Sequence, residues 1–444
     1  MAIRETTSPL GPEVTDAGPT EYEPLHPSGS SVRSSVARIG AATAISAICG
    51  YTVLYLAARE LGPALFSVFG VFWGAFGLVT GAANGLLQET TREVRLSLAQ
   101  RERSPLSTTL PIRIAFTFAI GSVVGIVGTA PLWASHVFAE FRWLSVALLA
   151  GGLAGFCMHA TTLGALAGSN RWTQYGVLMV TDAGIRLVVA VVTFAATLGL
   201  VGYLWATVAG SMSWLLLTFV SKPTRAALKV PALVDTMEFL RGARHSIAAA
   251  AASAVLVMGF PVLLQSTTGD LGTTGGVVIL AVTLTRAPLL VPLTALQGNL
   301  IAHFVDERDR RLHALLTPAV IIIGVGVAGV ALAGSIGPWL LRTAFDPAYQ
   351  AGGPLLGWLT AGAVMIALLT LTGAATVAHA RHRAYSAGWV GATVVSALLL
   401  LLPLGLEERT VIALIGGPVV GIVVHVAALA FWNDKPGTLD PVVD

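Results

Sequence analysis

The sequence predicts an all-α membrane protein of about twelve transmembrane helices, and three observations predict it. Of 444 residues, 55% are hydrophobic and only 11% charged, whereas soluble domains carry roughly 25% charged residues. Mean hydropathy is +0.78. The apolar residues fall into twelve runs, each at or near the ~20 residues that cross a ~30 Å hydrocarbon layer as a helix. The alternating polar and apolar strands of a membrane barrel are absent from the sequence.

Residues 1–35 carry Pro, Ser, Gly and the acids Glu5, Glu13, Asp16, Glu21 and Glu23. With no apolar core they are not a signal peptide, and they are expected to form a disordered cytoplasmic tail. Six runs follow, at 37–58, 65–87, 114–134, 143–168, 174–198 and 201–220. A basic connection at 221–245 precedes six more, at 246–268, 275–304, 314–341, 354–378, 384–404 and 410–432. The expected domains are an N-terminal six-helix lobe at 36–220, a basic cytoplasmic linker at 221–245, a C-terminal six-helix lobe at 246–432, and a cytoplasmic tail at 433–444. A faint echo supports duplication: the second run of each half carries Leu-Gln near its end, Leu87-Gln88 and Leu296-Gln297.

The net charge of +3 and pI near 9.0 do not indicate a nucleic-acid partner, because the basic residues are not interleaved with aromatics along a phosphate-tracking surface. They fall in the connections. Loops that retain Lys and Arg stay on the cytoplasmic side. With the N-terminus placed there, 20 basic residues are cytoplasmic and only Arg59, Arg142, Arg342 and Arg409 lie opposite. Both termini are therefore expected in the cytoplasm. The excess of arginine over lysine, 23 to 3, points to a bacterium with a GC-rich genome and hence to its inner membrane. Cys49 and Cys157 sit in apolar runs with no metal or redox spacing, and read as small packing residues.

An ionisable side chain at bilayer depth is costly and marks a functional candidate. Asp182 and Arg186 lie four apart in the fifth run, stacked on one helix face. Arg286 sits near the centre of the eighth, so each half holds one central arginine. A guanidinium keeps its charge and grips phosphate oxygens through a planar fork, so a cavity lined by both would hold a phosphate-bearing substrate. The other reading is an ion pair that locks helices. Around Arg286, Pro288 and Pro292 remove backbone donors and are expected to bend the helix. Asp182 is also the candidate proton or sodium site of a coupled transporter, which would need no other cofactor.

Gln88, Glu89 and Arg92 close the second run, and Gln297 and Asn299 lie late in the eighth, where they either line the cytoplasmic mouth or meet headgroups. Arg38 and Arg113 begin helices and would snorkel to lipid phosphates. His159, two residues after Cys157 and so on another helix face, and the isolated His425 read as buried, hydrogen-bonded histidines. No phosphate-binding Gly-Lys-Ser loop is present in the sequence, so bound ATP is not indicated as the energy source.

The stretch from Gly50 to Pro63, followed by an apolar helix ending Leu86-Leu87-Gln88-Glu89-Thr90-Thr91-Arg92, resembles the opening of polysaccharide-export flippases. These belong to the multidrug/oligosaccharidyl-lipid/polysaccharide (MOP) exporter superfamily. Arg171-Trp172-Thr173-Gln174-Tyr175-Gly176 leading to Asp182 and Arg186, and Leu284-Thr285-Arg286-Ala287-Pro288 leading to Gln297, are similar to that family as well. The likeness spans most of residues 36–432. It implies two six-helix lobes around a central cavity that opens alternately to each side. It also implies outward transport of a polyprenyl-diphosphate-linked oligosaccharide, with polysaccharide-assembly proteins as partners beside the membrane lipids. The peptidoglycan-precursor branch has two further helices and a more basic cavity, neither of which is evident here.

The expected protein is thus a non-enzymatic transporter that flips a lipid-linked glycan, with Arg186, Arg286, Gln88, Gln297 and Asn299 as substrate-binding candidates and Asp182 as the coupling candidate. Two rivals stand beside it. One is a cation-coupled small-molecule exporter of the same superfamily, dependent on Asp182. The other is a membrane-embedded glycan polymerase or ligase, for which His136, Glu140 and Asp346 offer only scattered groups on short outward loops.

Overall fold

Hydrocarbon satisfies no backbone N–H or carbonyl, so a spanning chain must bond to itself as helix or closed barrel. All twelve apolar runs are helical in the computed structural model, which describes residues 29–100, 109–307, 311–379 and 381–431. The tails expected at 1–35 and 433–444 fall outside this set, except that residues 29–35 already belong to the first helix.

That helix, α1 (Gly29–Ala99), is a 71-residue element interrupted once, at Gly62 with φ 66° and ψ 171°. This backbone region is open essentially to glycine alone. Pro63 follows without an N–H to donate. One residue thus replaces the expected loop at 59–64, dividing α1 into two spanning arms, α1a (29–61) and α1b (63–99). Arm α1b runs some three turns past its apolar stretch, through Glu89, Arg92 and Glu93.

Four spans complete the first half: α2 (Pro111–Val137), α3 (Arg142–Gly168), α4 (Trp172–Ala195), and a broken sixth span of α5 (Gly199–Ala209), a 3-10 turn (Gly210–Met212) and α6 (Ser213–Val220). The stretch 221–245 is mostly helical, holding α7 (Lys222–Leu228) and the first ten residues of α8 (Thr236–Val257). Asp235 caps α8 by accepting from the Glu238 N–H. The seventh span is α8 with α9 (Phe260–Thr268), bent by 63° at Met258 and Gly259. Then come α10 (Gly272–Asp306), α11 (Arg311–Leu340), α12 (Gly353–Ala378), α13 (His382–Leu399) and α14 (Leu406–Phe431). Among the described residues, nine helices are long and apolar enough to cross a membrane, or ten with the bent pair. Splitting residues 37–99 at Gly62 and adding the less apolar α13 gives twelve.

The two halves share local devices. Arg171 and Arg381 precede α4 and α13 with φ and ψ of −96° and 60°, and −95° and 58°. Each is followed four residues later by a tyrosine, Tyr175 or Tyr385. Each also bonds a distant carbonyl, Arg171 that of Pro223 in α7 at 2.8 Å and Arg381 that of Ala428 in α14.

Where the halves meet, α1b presents Gly70, Gly74, Gly77, Gly81 and Gly85, spaced three or four apart, to α8, α9 and α10. Small residues let helix backbones approach where lipid offers no hydrophobic drive to associate. Gly85 lies directly on the Ser246 and Ile247 backbone, with no room for a Cβ. Replacing Gly62 by alanine is expected to cost about 1–3 kcal/mol, read as a lower Tm in detergent. Gly184→Ala, in open space within α4, serves as the control and should hold or slightly raise Tm, since alanine favours the helix interior over glycine.

Candidate functional site

Pro261, in the first turn of α9, has no N–H to offer the Val257 carbonyl four residues earlier. That orphaned oxygen accepts the Arg286 Nη1–H at 3.0 Å. The guanidinium also lies 5.2 Å above the Phe260 ring, a favourable cation–π placement. Arg286 is only 7% exposed. Its Nε and Nη2 nevertheless have no hydrogen-bond partner, and it is in no ion pair among the described residues. A buried, charged donor left unsatisfied is expensive, so it is a strong acceptor-seeking group.

Those donors belong to a cavity of about 180 Å³ between the halves, walled by α1a, α1b, the α8–α9 bend and α10. Tyr51, Trp73, Met258, Thr283 and Val291 line it with Arg286. Beside it, α1a and α10 frame an apolar groove of about 610 Å³ through Ala44, Ile48, Thr52, Pro288 and Pro292. Tyr51 and Val291 line both spaces, so the groove and the arginine cavity share a wall. Pro288 and Pro292 leave α10 continuous. A break falls in the facing seventh span, where Pro261 frees the carbonyl that Arg286 takes.

Arg186 is built on the same plan with a different outcome. Its Nη1 donates to the Thr207 carbonyl at 2.6 Å, one residue pair before the helix turns 3-10. Its guanidinium lies 5.2 Å from the Phe76 ring. Here Asp182 supplies the counter-charge, with Nη2 to Oδ1 at 3.0 Å and Nε to both carboxylate oxygens at 3.2 and 3.3 Å. Gly210 closes over this pair with no space for a Cβ. The structure thus brings Arg286 to the cavity between the halves. Arg186 and Asp182 lie inside the first half and are not among that cavity's lining residues.

Gln88 is exposed on α1b and lines no part of this cavity. The side chains of Gln297 and Asn299 fall outside those described. The groups that join the halves are neighbours of Gln88. Glu89 accepts from the Ser246 hydroxyl at 3.3 Å, Glu93 accepts from the Val234 N–H at 3.3 Å, and Arg92 pairs with both carboxylates at 2.7 and 2.9 Å. This polar clasp closes the arginine-rich end of the bundle. At the opposite end Arg59 donates to the Ala344 carbonyl at 3.1 Å. The Tyr349 hydroxyl donates to the Ala58 carbonyl at 3.1 Å, and Gly276 packs on the Pro63 carbonyl with no room for a Cβ. The Arg286 cavity is therefore held between contacts at both ends.

The remaining candidates are internally satisfied. His159 bonds the Ser213 hydroxyl at 3.0 Å, and His425 bonds the Thr372 hydroxyl and the Tyr385 carbonyl at 3.1 and 3.2 Å. Both cysteines are free. Among the described residues no group of three or more His, Cys, Asp or Glu could hold a metal ion. Asp346 accepts from the Ala348 N–H at 2.8 Å, while His136 and Glu140 are exposed and apart from it in sequence.

No family model matches the chain. Its fold is similar to an inward-facing multidrug resistance MATE transporter of the MOP superfamily, with TM-score 0.65 and 15% identity over 85% of this chain and 94% of that one. It is also similar to an outward-facing MATE transporter of that superfamily, with TM-score 0.61 and 14% identity over 89% and 95%. The chain thus shares the fold of those two proteins, with its helices in two lobes. The chain is 64% identical over 422 residues to the uncharacterized protein Rv3630 of Mycobacterium tuberculosis (strain ATCC 25618 / H37Rv), covering 94% of this chain and 97% of that one. With Rv1510 of the same strain it shares 60% over 418 residues, covering 94% and 96%. The chain belongs to the same family as these two mycobacterial proteins.

Arg186→Ala strands the Asp182 carboxylate and is expected to destabilise the protein by about 3–5 kcal/mol, seen as a lower Tm and lower membrane levels. Arg286→Gln loses the Val257 bond and the Phe260 contact but leaves no charge behind, and should lower Tm less than Arg186→Ala does. Equal losses in the two variants would erase the distinction drawn between the arginines.

Proposed function

We propose that the protein is an alternating-access transporter that moves a polyprenyl-diphosphate-linked oligosaccharide outward across the bacterial inner membrane. The observation that carries this reading is the Arg286 guanidinium, held at bilayer depth with Nε and Nη2 unsatisfied in a cavity between the two halves. A diphosphate supplies the charge-assisted acceptors those donors lack. The apolar groove between α1a and α10 gives the isoprenoid chain a place in contact with lipid while the phosphates reach inward past Tyr51 and Val291.

In this reading the arginine-rich end is cytoplasmic, and both termini lie there. Glu89, Arg92, Glu93 and Ser246 form the cytoplasmic gate, and Arg59, Ala344 and Tyr349 the outer one. Opening one set of contacts while keeping the other exposes the cavity to one side at a time. Arg186 and Asp182 act as a strut that keeps the broken sixth span in place. The likeness to multidrug transporters favours a second reading, export of small molecules. For that reading Asp182 is the candidate coupling site, although Arg186 already engages it.

Transport of a fluorescent polyprenyl-diphosphate oligosaccharide into proteoliposomes separates these. Loss of a hydrogen bond to a charged group costs about 1.5–3 kcal/mol, so Arg286→Gln is expected to slow transport roughly tenfold or more. Deleting the gene should cause one lipid-linked intermediate to accumulate on the inner leaflet. If wild-type protein leaves the lipid unmoved and exports cationic drugs in an Asp182-dependent way, the second reading replaces the first.

A further inference from the structure

The arginine cavity and its lateral groove account for one flank of the junction between the halves. The opposite flank holds a second space. Helix α2 packs on α3 but only 22% of its most apolar stretch is buried. Between α2, α1b, α3 and α8 lies an apolar slot of about 480 Å³, lined by Val79, Leu86, Phe118, Leu153, Leu240 and Ile247 among others. A smaller space of about 250 Å³ continues it through Val79 toward Trp133 and Val262. The larger part lies within the ~300–1,000 Å³ range of small-molecule sites. A Cβ at Gly121 or Gly125, which face these spaces, would meet nothing within 4 Å.

Two arginines share helix faces with residues that line the larger part. Arg113 stands one turn before Thr117, which lines the slot, and so shares its helix face. Arg244 stands four residues after Leu240 and three before Ile247, on the face that forms the slot's other wall. Both arginines are exposed, and neither is in an ion pair among the described residues. Glu238, two residues before Leu240, falls on a different face of α8. A hydrocarbon slot with a guanidinium one turn from its lining residues on each of two walls is complementary to an acyl chain that ends in a phosphate.

We infer that this slot binds one anionic phospholipid, its acyl chain between α1b, α2 and α8 and its phosphate between Arg113 and Arg244. The lipid bridges the halves, since Arg113 belongs to the first and Arg244 to the second. It occupies the flank opposite the groove beside Arg286, and its binding is independent of which substrate is transported. Because α8 is one wall of the slot, the lipid holds α8 near α1b, in the arrangement the Glu89–Ser246 contact also favours.

The test is lipid binding to the purified full-length protein in detergent, followed by native mass spectrometry with dioleoyl-phosphatidylglycerol, dioleoyl-phosphatidylcholine and glycerol phosphate as probes. Two arginines near a lipid phosphate are expected to favour phosphatidylglycerol over phosphatidylcholine roughly tenfold or more. The Arg113→Gln/Arg244→Gln variant, altered only at exposed positions, should bind both lipids alike. Gly121→Leu fills the slot from a position with open space and should weaken both lipids. Glycerol phosphate, lacking a chain, should not compete. Equal binding of the two lipids to wild type, selectivity that survives in the double variant, full binding by Gly121→Leu, or competition by glycerol phosphate would each overturn the assignment.

Discussion

A guanidinium cannot shed its charge at bilayer depth, so it must find acceptors there, and the architecture is arranged around two such groups. Each central arginine takes a carbonyl beside a break in a neighbouring span: Arg186 that of Thr207 before the 3-10 turn, Arg286 that of Val257, left free by Pro261. Each also covers a phenylalanine ring at 5.2 Å. The breaks stay satisfied because the arginines cap them, and the arginines stay at depth because the breaks offer oxygen. One carboxylate then divides their fates. Asp182 completes the shell of Arg186 and turns it into a strut, whereas Arg286 keeps donors unused in a cavity.

The position of that cavity follows from backbone packing. The glycine series on α1b brings α8 and α10 close enough for Glu89 and Glu93 to reach across at one end, while Gly276 rests on the Pro63 carbonyl at the other. Between these contacts the α8–α9 bend diverts the chain from α1b and leaves space. The halves are joined through small residues, a few polar bonds and, at the Pro63 end, ring contacts of Tyr55 with Phe345 and Phe66 with Tyr349, contacts local enough for one end to part while the other holds. The transport proposal draws on this property, and on the lateral groove that lets a long apolar chain remain in lipid.

Much of this was legible in the sequence. Twelve apolar runs are twelve helical spans, because length and hydropathy decide spanning segments directly. Asp182 and Arg186 pair as their spacing of four requires, and His159 and His425 are hydrogen-bonded core groups. Other features were displaced. The loop expected at 59–64 is a single glycine break, and the linker at 221–245 is largely helix, since polar residues outside the bilayer extend helices without any hydropathy signal. Pro288 and Pro292 lie within one continuous helix, and a break of 63° that the apolar run at 246–268 did not reveal falls at Met258 and Gly259 in the facing span. The Arg-x-x-x-Tyr pattern at Arg171 and Arg381 is a sharper mark of the paired halves than the Leu-Gln echo.

By itself the sequence determined what lies in the membrane, how many times the chain crosses, which end carries the positive charge, and which few ionisable groups sit at depth. These depend on local composition and on the transfer of side chains into hydrocarbon. Only the tertiary structure decided that Arg286 alone of the two central arginines lines the space between the halves, and that Glu89 and Glu93, rather than Gln88, span the junction. Those outcomes depend on which helix supplies a carbonyl, a ring or a carboxylate to a given face, and such partners lie tens to hundreds of residues apart in the chain.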